Sequence, residues 1–357
     1  MGATTRAHGP FASPRQPEAG KTMKGMVIMG EFLLKRLLLC VLILFFSMFM
    51  VYAIMYSLPT GYVETTAREL ATKPGSLKSA QDWMDELNKQ YGFDKGIVGG
   101  YFTWVGSAVR GDFGESWNWT LPVTQKFKDV IWYSFALALI VFVLEICIAI
   151  PLGVKAARKQ YSATDYSITV VALIGISLPV FFTATMLKLV FAVKLGWAPI
   201  SGMQGRDYLL LNDFQRFLDL CKHMVLPALT LLIVNIGPLM RYTRTNMLEV
   251  LNADYIRTAR AKGLPESRVI SHHAFRNTLI TLITILGSQL PMLFYGALIT
   301  ETIFAIRGIG YTSFYSMING DIPFTMFYLM FMAILTLLSN LVADVMYAIA
   351  DPRVRVN

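Results

Sequence analysis

Apolar residues are gathered into long runs separated by charged stretches, and residues 37–58 contain no charged side chain at all. A helix needs about 20 predominantly apolar residues to cross the hydrocarbon layer of a bilayer, so this run predicts a first span. The same measure predicts further spans at 131–154, 168–193, 224–240, 277–300 and 322–349. Glu145 lies inside the second, Lys188 late in the third and Asp344 near the end of the sixth. Pro179, Pro227, Pro238 and Pro291 would break helices in water. In a bundle, neighbouring helices and Ser/Thr side chains satisfy the freed carbonyls. The pattern predicts an all-α polytopic membrane protein with six transmembrane helices.

The polar stretches orient it. Lys and Arg collect in short loops on the cytoplasmic side. The tail 1–36 carries six, loop 155–167 carries Lys155, Arg158 and Lys159, loop 241–276 carries seven, and the tail 350–357 carries Arg353 and Arg355. On the other side, segment 59–130 balances eight basic against nine acidic residues, and loop 301–321 holds only Arg307; loop 194–223 lies on that side too. Both termini are therefore expected in the cytoplasm, with 1–36 a disordered tail. Trp83, Trp104, Trp117, Trp119, Trp132 and Trp197 then all fall at or near the external interface, which tryptophan prefers. The first run is too long for a signal-peptide core and has no small-residue cleavage site after it, so it is expected to be retained. Segment 59–130 exceeds what a turn needs. Ala80, Met84, Leu87 and Tyr91 share one helical face behind Ser79 and Asp82, which resemble an N-terminal cap. Ile97, Tyr101, Trp104 and Ala108 suggest a second helix after the turn Gly92–Gly96. The expectation is a small helical insertion lying over the external mouth.

Composition agrees: 55% hydrophobic and 15% charged residues over 357 positions, against about 25% charge in soluble domains. The net charge of +9 reflects membrane sidedness, so no nucleic-acid partner is expected. Cys40, Cys147 and Cys221 lack metal-type spacing. There is no G-x-x-x-x-G-K-[ST] phosphate loop and no serine nucleophile elbow. His272 and His273 are adjacent, which is poor metal-ligand geometry, while His8 and His223 stand apart. No catalytic, metal or cofactor-binding residue is expected. The intramembrane polar residues are Glu145, Asn235, Gln289, Asn340 and Asp344. Such groups are functional candidates by default, and Glu145, Asn235 and Gln289 are taken as candidate pathway residues. Asp344 lies close to the membrane boundary. Glu145 either faces a polar pathway or pairs with a neighbouring helix.

Loop 241–276 is longer than a link between two spans requires. Residues 252–262 suit a helix, with Asn252 as its cap, and Gly263 followed by Pro265 supplies a stop. A short rigid helix, a glycine turn and a second helix make a docking knob for a soluble partner. On the residues alone, a basic segment lying on anionic lipid is an equal reading.

The motif content of this loop resembles a known family. Permeases of ABC importers carry the cytoplasmic signature E-A-A-x-x-x-G-x9-I-x-L-P. Aligned on Gly263, the E-A-A positions are Arg257, Thr258 and Ala259, and the I-x-L-P positions are His273, Ala274, Phe275 and Arg276, so the Glu and the Leu-Pro are missing. These departures resemble the oligopeptide/dipeptide/nickel branch and its D-Y-I-R-T-A-R-A-K-G-L form, present here from Asp254 to Leu264. Gly111-Asp112-Phe113-Gly114-Glu115-Ser116, Leu195-Gly196-Trp197-Ala198-Pro199, Glu301-Thr302-Ile303-Phe304 with Gly308-Ile309-Gly310, and Asp351-Pro352-Arg353 are similar to segments of the same branch, in the same order. The B-type first subunit, with its long first external loop, is the nearest form.

The resemblance implies a bacterial inner-membrane permease working with a second, C-type permease, two cytoplasmic ABC ATPases that bind ATP and Mg²⁺, and an extracytoplasmic substrate-binding protein. It implies that Asp254, Tyr255, Arg257, Thr258, Ala259, Arg260, Ala261, Gly263 and Leu264 couple the chain to an ATPase, with no ATPase site of its own. Peptide is the expected cargo; nickel or another small solute, or a sensor subunit that transports nothing, are the alternatives. An ion-coupled secondary transporter would show internal repeats and midplane charges, and only Glu145 is of that kind.

Overall fold

The computed structural model describes the backbone of residues 19–57, 62–72 and 78–350, and most side chains between 34 and 342. The described residues form helices and no strand, with one isolated bridge between Glu115 and Pro122. In order these are α1 (Ala19–Ser57), α2 (Tyr62–Thr72), α3 (Ala80–Tyr91), α4 (Gly96–Ala108), α5 (Val123–Arg158), α6 (Ala163–Ser177), α7 (Val180–Leu187), α8 (Asp213–Leu251), α9 (Asp254–Ala261), α10 (Glu266–Arg268), α11 (Phe275–Gln289), α12 (Leu298–Ile303), α13 (Ile309–Ile318) and α14 (Ile322–Ala350). Four unbroken helical stretches are long and apolar enough to cross a membrane: Leu34–Ser57, Val123–Arg158, Asp213–Leu251 and Ile322–Val342. Two bent pairs raise the number to six if each is one span.

Several boundaries differ from the sequence expectation. Helix α1 begins at Ala19, inside the tail expected to be disordered. Residues 19–36 include helix-compatible Lys, Met and Leu and no proline, so nothing in them stops a helix that the apolar run sustains. Helix α8 covers 39 residues, not the 17 or so of an apolar core, and ends at Leu251. Charge at Arg241 marks a lipid boundary but does not terminate a helix, so 241–251 leaves the predicted loop and joins α8. Pro227 and Pro238 lie inside α8 without ending it.

The predicted third span is not one rod. Helices α6 and α7 meet at 100°. Pro179 lacks an amide proton and forces its predecessor out of the helical region, and Leu178 is extended with φ −79° and ψ 125°. Helix α7 continues as a π-helical turn, Lys188–Lys194. The expected fifth span ends early. Helix α11 gives way at Pro291 to the 3₁₀ turn Leu290–Phe294, and Gly296, at φ +74°, reverses the chain into α12. Residues 301–321, expected as an external loop, instead fold back into the bundle: Glu301, Phe304, Ile306 and Ile309 are buried.

Helices α5 and α8 run parallel at the centre. Leu137 packs with Leu226, Ala149 and Ile150 with Leu239 and Met240, and Ala157 with Met247. Glycines allow close approach: a Cβ on Gly153 of α5 would lie 2.7 Å from the Met240 carbonyl of α8, and one on Gly237 of α8 2.7 Å from the Ala172 carbonyl of α6. Small residues at helix contacts serve this purpose in membranes. Helix α6 runs antiparallel to α8. At one end of the bundle lie the start of α5, the start of α14 and α13; at the other lie α9 to α10.

Part of the 62–108 insertion packs on the side of the bundle. Helix α4 lies along the flank of α1, where the Tyr101 hydroxyl donates to the Phe45 carbonyl at 2.7 Å and packs beside Phe49 and Trp104. The aromatic face of α4 matches that of α1, which draws it sideways. Helices α2 and α3 pack on each other through Val63, Ala67 and Leu87, and Ser79 with Asp82 forms a complete capping box on α3.

Candidate functional site

Two features stand out, one at the end of the bundle and one within it. The first is α9. Ile256 and Ala259 are buried against Ala157 of α5, Met247 of α8, and Val269, Ile270 and Ala274. These two positions are three apart, one helical face. Asp254, Tyr255, Arg257, Thr258, Arg260 and Ala261 face outward. Asn252 does not cap α9: it closes α8, and Ala253 takes the N-cap position without a side-chain bond. With α8 extended to Leu251, the link is too short for Asn252 to turn back on α9.

The C-terminus of α9 follows the Schellman pattern. The Gly263 amide donates to the Arg260 carbonyl at 2.9 Å, the Leu264 amide to the Ala259 carbonyl at 3.4 Å, and half-buried Leu264 joins the same apolar cluster. Gly263 has φ +77°, and a Cβ there would touch nothing within 4 Å. Arg260 is held by Glu266 through two bonds of 3.1 and 2.8 Å, which keep its guanidinium above its usual pKa range. Arg257 has only an exposed contact of 3.6 Å with Asp254. His272 and His273 sit in the π turn Val269–Ala274 with rings 5.2 Å apart and perpendicular.

An ion pair that the sequence did not single out braces this end. Arg244 of α8 donates to both oxygens of Asp165 of α6, at 2.6 and 2.8 Å, and the Tyr161 amide adds a third bond at 3.0 Å. Arg244 was counted only as one of seven cations in its loop; its position eight residues before Asn252 on a continuous helix is what aims it at α6.

The second feature is a half-open cavity of about 540 Å³ between α5, α8, α11 and α12. It brings together Glu145, Asn235 and Gln289, from three different helices, with Ser134 and Thr300. Asn340 is exposed on α14 and does not line it; the Asp344 side chain and Asp351–Arg353 lie outside the described residues.

Behind one wall of the cavity Glu301, fully buried, holds the lining residues Ser134 and Ala297 in place. Its carboxylate accepts from the Ser134 hydroxyl at 2.6 Å, the Ala297 amide at 2.9 Å and the Tyr311 amide at 2.7 Å. The Ser134 oxygen in turn accepts from the Ile309 amide at 2.8 Å. Gly308 permits this contact, because a Cβ there would lie 2.3 Å from the Ser134 oxygen. Lys188 donates to the Ile303 carbonyl at 2.6 Å, at the C-terminus of α12 where a cation is favoured. Asp321 gathers the 111–122 turn: it accepts from the Ser116 hydroxyl, from the Trp117 amide at 3.1 Å and from the Phe324 amide at 3.3 Å. Burial pushes the Asp321 carboxyl above its usual range, against the pull of these donors. The sequence pattern places Glu301 and Asp321 in a loop; the glycines at 296, 308, 310 and 320 around them are its one sign of tight packing.

The family model described as binding-protein-dependent transport system inner membrane component matches residues 149–356. The oligopeptide transport system permease protein AppB of Bacillus subtilis is 38% identical over 278 residues, 78% of this chain and 86% of that protein. The di/tripeptide transport system permease protein DppB of Pseudomonas aeruginosa is 34% identical over 340 residues, 92% of this chain and 99% of that protein.

Proposed function

The chain belongs to the family of inner membrane components of binding-protein-dependent transport systems, and on that premise we propose that it is a permease subunit of an ATP-driven peptide importer. The observation that carries the reading is the mounting of α9. Its buried face is fixed to the ends of α5 and α8, and its opposite face offers Tyr255, Arg257 and Thr258 to solvent. A push on α9 therefore reaches the two helices that line the cavity. Peptide as cargo is supported by the names of the two relatives above.

In this reading six spans cross the bacterial inner membrane, each bent pair counting as one. Both termini and α9 face the cytoplasm, and residues 59–130 face outward. A second, C-type permease completes the pathway, and an extracytoplasmic binding protein delivers peptide. Two cytoplasmic ATPases bind ATP and Mg²⁺, and one of them docks on Asp254 to Leu264. Closure of the ATPases moves α9, and the bundle shifts between two arrangements of access. The chain itself performs no hydrolysis.

The test is reconstitution of the complete importer with Arg257→Cys and a matching series of cysteines on the ATPase. ATP-dependent uptake of a labelled tripeptide and a crosslink from position 257 to an ATPase are expected. A folded chain that recovers no ATPase, or a complex that hydrolyses ATP without moving peptide, overturns the assignment.

A further inference from the structure

Among the described residues, the cavity holds a carboxylate with nothing to balance it. Glu145 lies within the apolar stretch of α5, is 8% exposed and lines the cavity. Its carboxylate takes part in no hydrogen bond or ion pair among the described residues, and no other cavity-lining side chain is ionisable. The other deeply buried acids follow the opposite pattern: Glu301 has three donors, Asp165 an arginine and Asp321 a ring of amides and hydroxyls. Removing an ionised carboxylate from water is strongly unfavourable unless a cation or several donors meet it. The Thr300 hydroxyl, buried in the same wall, is also without a partner, and Asn235 and Gln289 bring amides to the same space. The volume falls within the ~300–1,000 Å³ of small-ligand sites.

On the peptide-importer reading, on which this inference rests, the cargo brings an ammonium at its N-terminus and at each lysine. We propose that Glu145 is the cation-recognition point of the pathway, receiving the ammonium of a passing peptide. Asn235 and Gln289 offer donors and acceptors to the peptide main chain beside it. The polar groups are few and apolar surface dominates, so cargo is registered by one charge contact and slides past the rest. A permanent cation from the second permease is the competing occupant.

The whole importer is reconstituted in liposomes with the wild-type chain, Glu145→Gln or Glu145→Lys. Maximal uptake is measured for a lysine-centred and a glutamate-centred tripeptide, each at saturating binding protein. Glu145→Gln is expected to lower the lysine-over-glutamate rate ratio about tenfold, consistent with loss of one close charge contact. Glu145→Lys lowers it further, and complex recovery is measured for each variant alongside. Glu145→Gln is isosteric, so its ratio decides the matter even where the lysine variant does not assemble. Rates that fall in equal proportion, or lost assembly of Glu145→Gln, assign the carboxylate to a cation of the second permease and overturn the proposal. Both rates unchanged from wild type overturn the cation site alone; a wild-type importer that takes up neither peptide overturns the peptide reading and the site with it.

Discussion

Gly263 and Glu301 are both constrained, but for different physical reasons. At Gly263 the constraint is backbone alone: φ is +77° and the space beyond is empty. An L-residue other than Asn pays about 1–2 kcal/mol to sit there. Gly263→Asn should therefore keep coupled transport close to wild type, whereas Gly263→Val should loosen the end of α9 and lower uptake several-fold with ATP hydrolysis less affected. Parallel uptake and hydrolysis assays on reconstituted importer check this, and equal activity of the two variants would mean the turn is not part of the coupling. At Glu301 the constraint is the set of donors. Gln at 301 can accept on one atom only, so at least one of the Ala297, Tyr311 or Ser134 donors loses its partner. An unmet buried donor costs roughly 1–3 kcal/mol. Glu301→Gln should lower the thermal unfolding temperature of the purified complex and should slow uptake, because the wall made by α12 lines the cavity.

At the level of elements, what could be read in the sequence was the existence of helices, and what could not was where they stop or turn. The α3 capping box and the stop of α9 were visible because both rest on residues within four positions of each other, Ser79 with Asp82 and Gly263 with Arg260. The break between α6 and α7 was half visible: Pro179 was noted, but a 100° bend depends on the packing of Thr183 and Ala184 against the bundle. The fold-back of α12 was invisible because its buried acid looks like the polar start of a loop until Ser134, 167 positions away, is placed beside it. The gathering of Glu145, Asn235 and Gln289 into one cavity likewise depends on three helices being side by side. The same holds for Asp165 and Arg244. Arg244→Ala would leave a carboxylate with 3% of its side chain exposed and no cation, with the Tyr161 amide and the Thr169 hydroxyl beside it. Breaking one side of such a pair costs about 3–5 kcal/mol. The variant should unfold at lower temperature in detergent and should be rescued in part by Asp165→Asn. An unchanged melting temperature would show that the pair does not brace α6 against α8.

Across the whole molecule the orientation rests on an asymmetry of charge that the helix packing divides between two ends. The end with α9 carries Lys155, Arg158, Lys159, Arg241, Arg257, Lys262 and Arg268, and the opposite end carries the mixed charges of 109–129. Positive residues in short loops are retained on the cytoplasmic side, and an ATPase can reach α9 only there. The expected arrangement is therefore α9 inside and the 109–122 turn outside. Lys159 and Glu115 are exposed and lie at opposite ends of α5, so cysteines placed there report sidedness without disturbing the core. With Cys40, Cys147 and Cys221 replaced by alanine, a membrane-impermeant maleimide should label Glu115→Cys in intact spheroplasts and Lys159→Cys only after the membrane is opened. Helix α5 is 36 residues long, about 54 Å at 1.5 Å per residue, which exceeds the ~30 Å hydrocarbon core. Both positions consequently stand clear of lipid, and a failure to label cannot be blamed on burial in the bilayer. Labelling of Lys159→Cys from outside would invert the molecule, put α9 out of reach of any ATPase and remove the basis for coupling through Asp254 to Leu264.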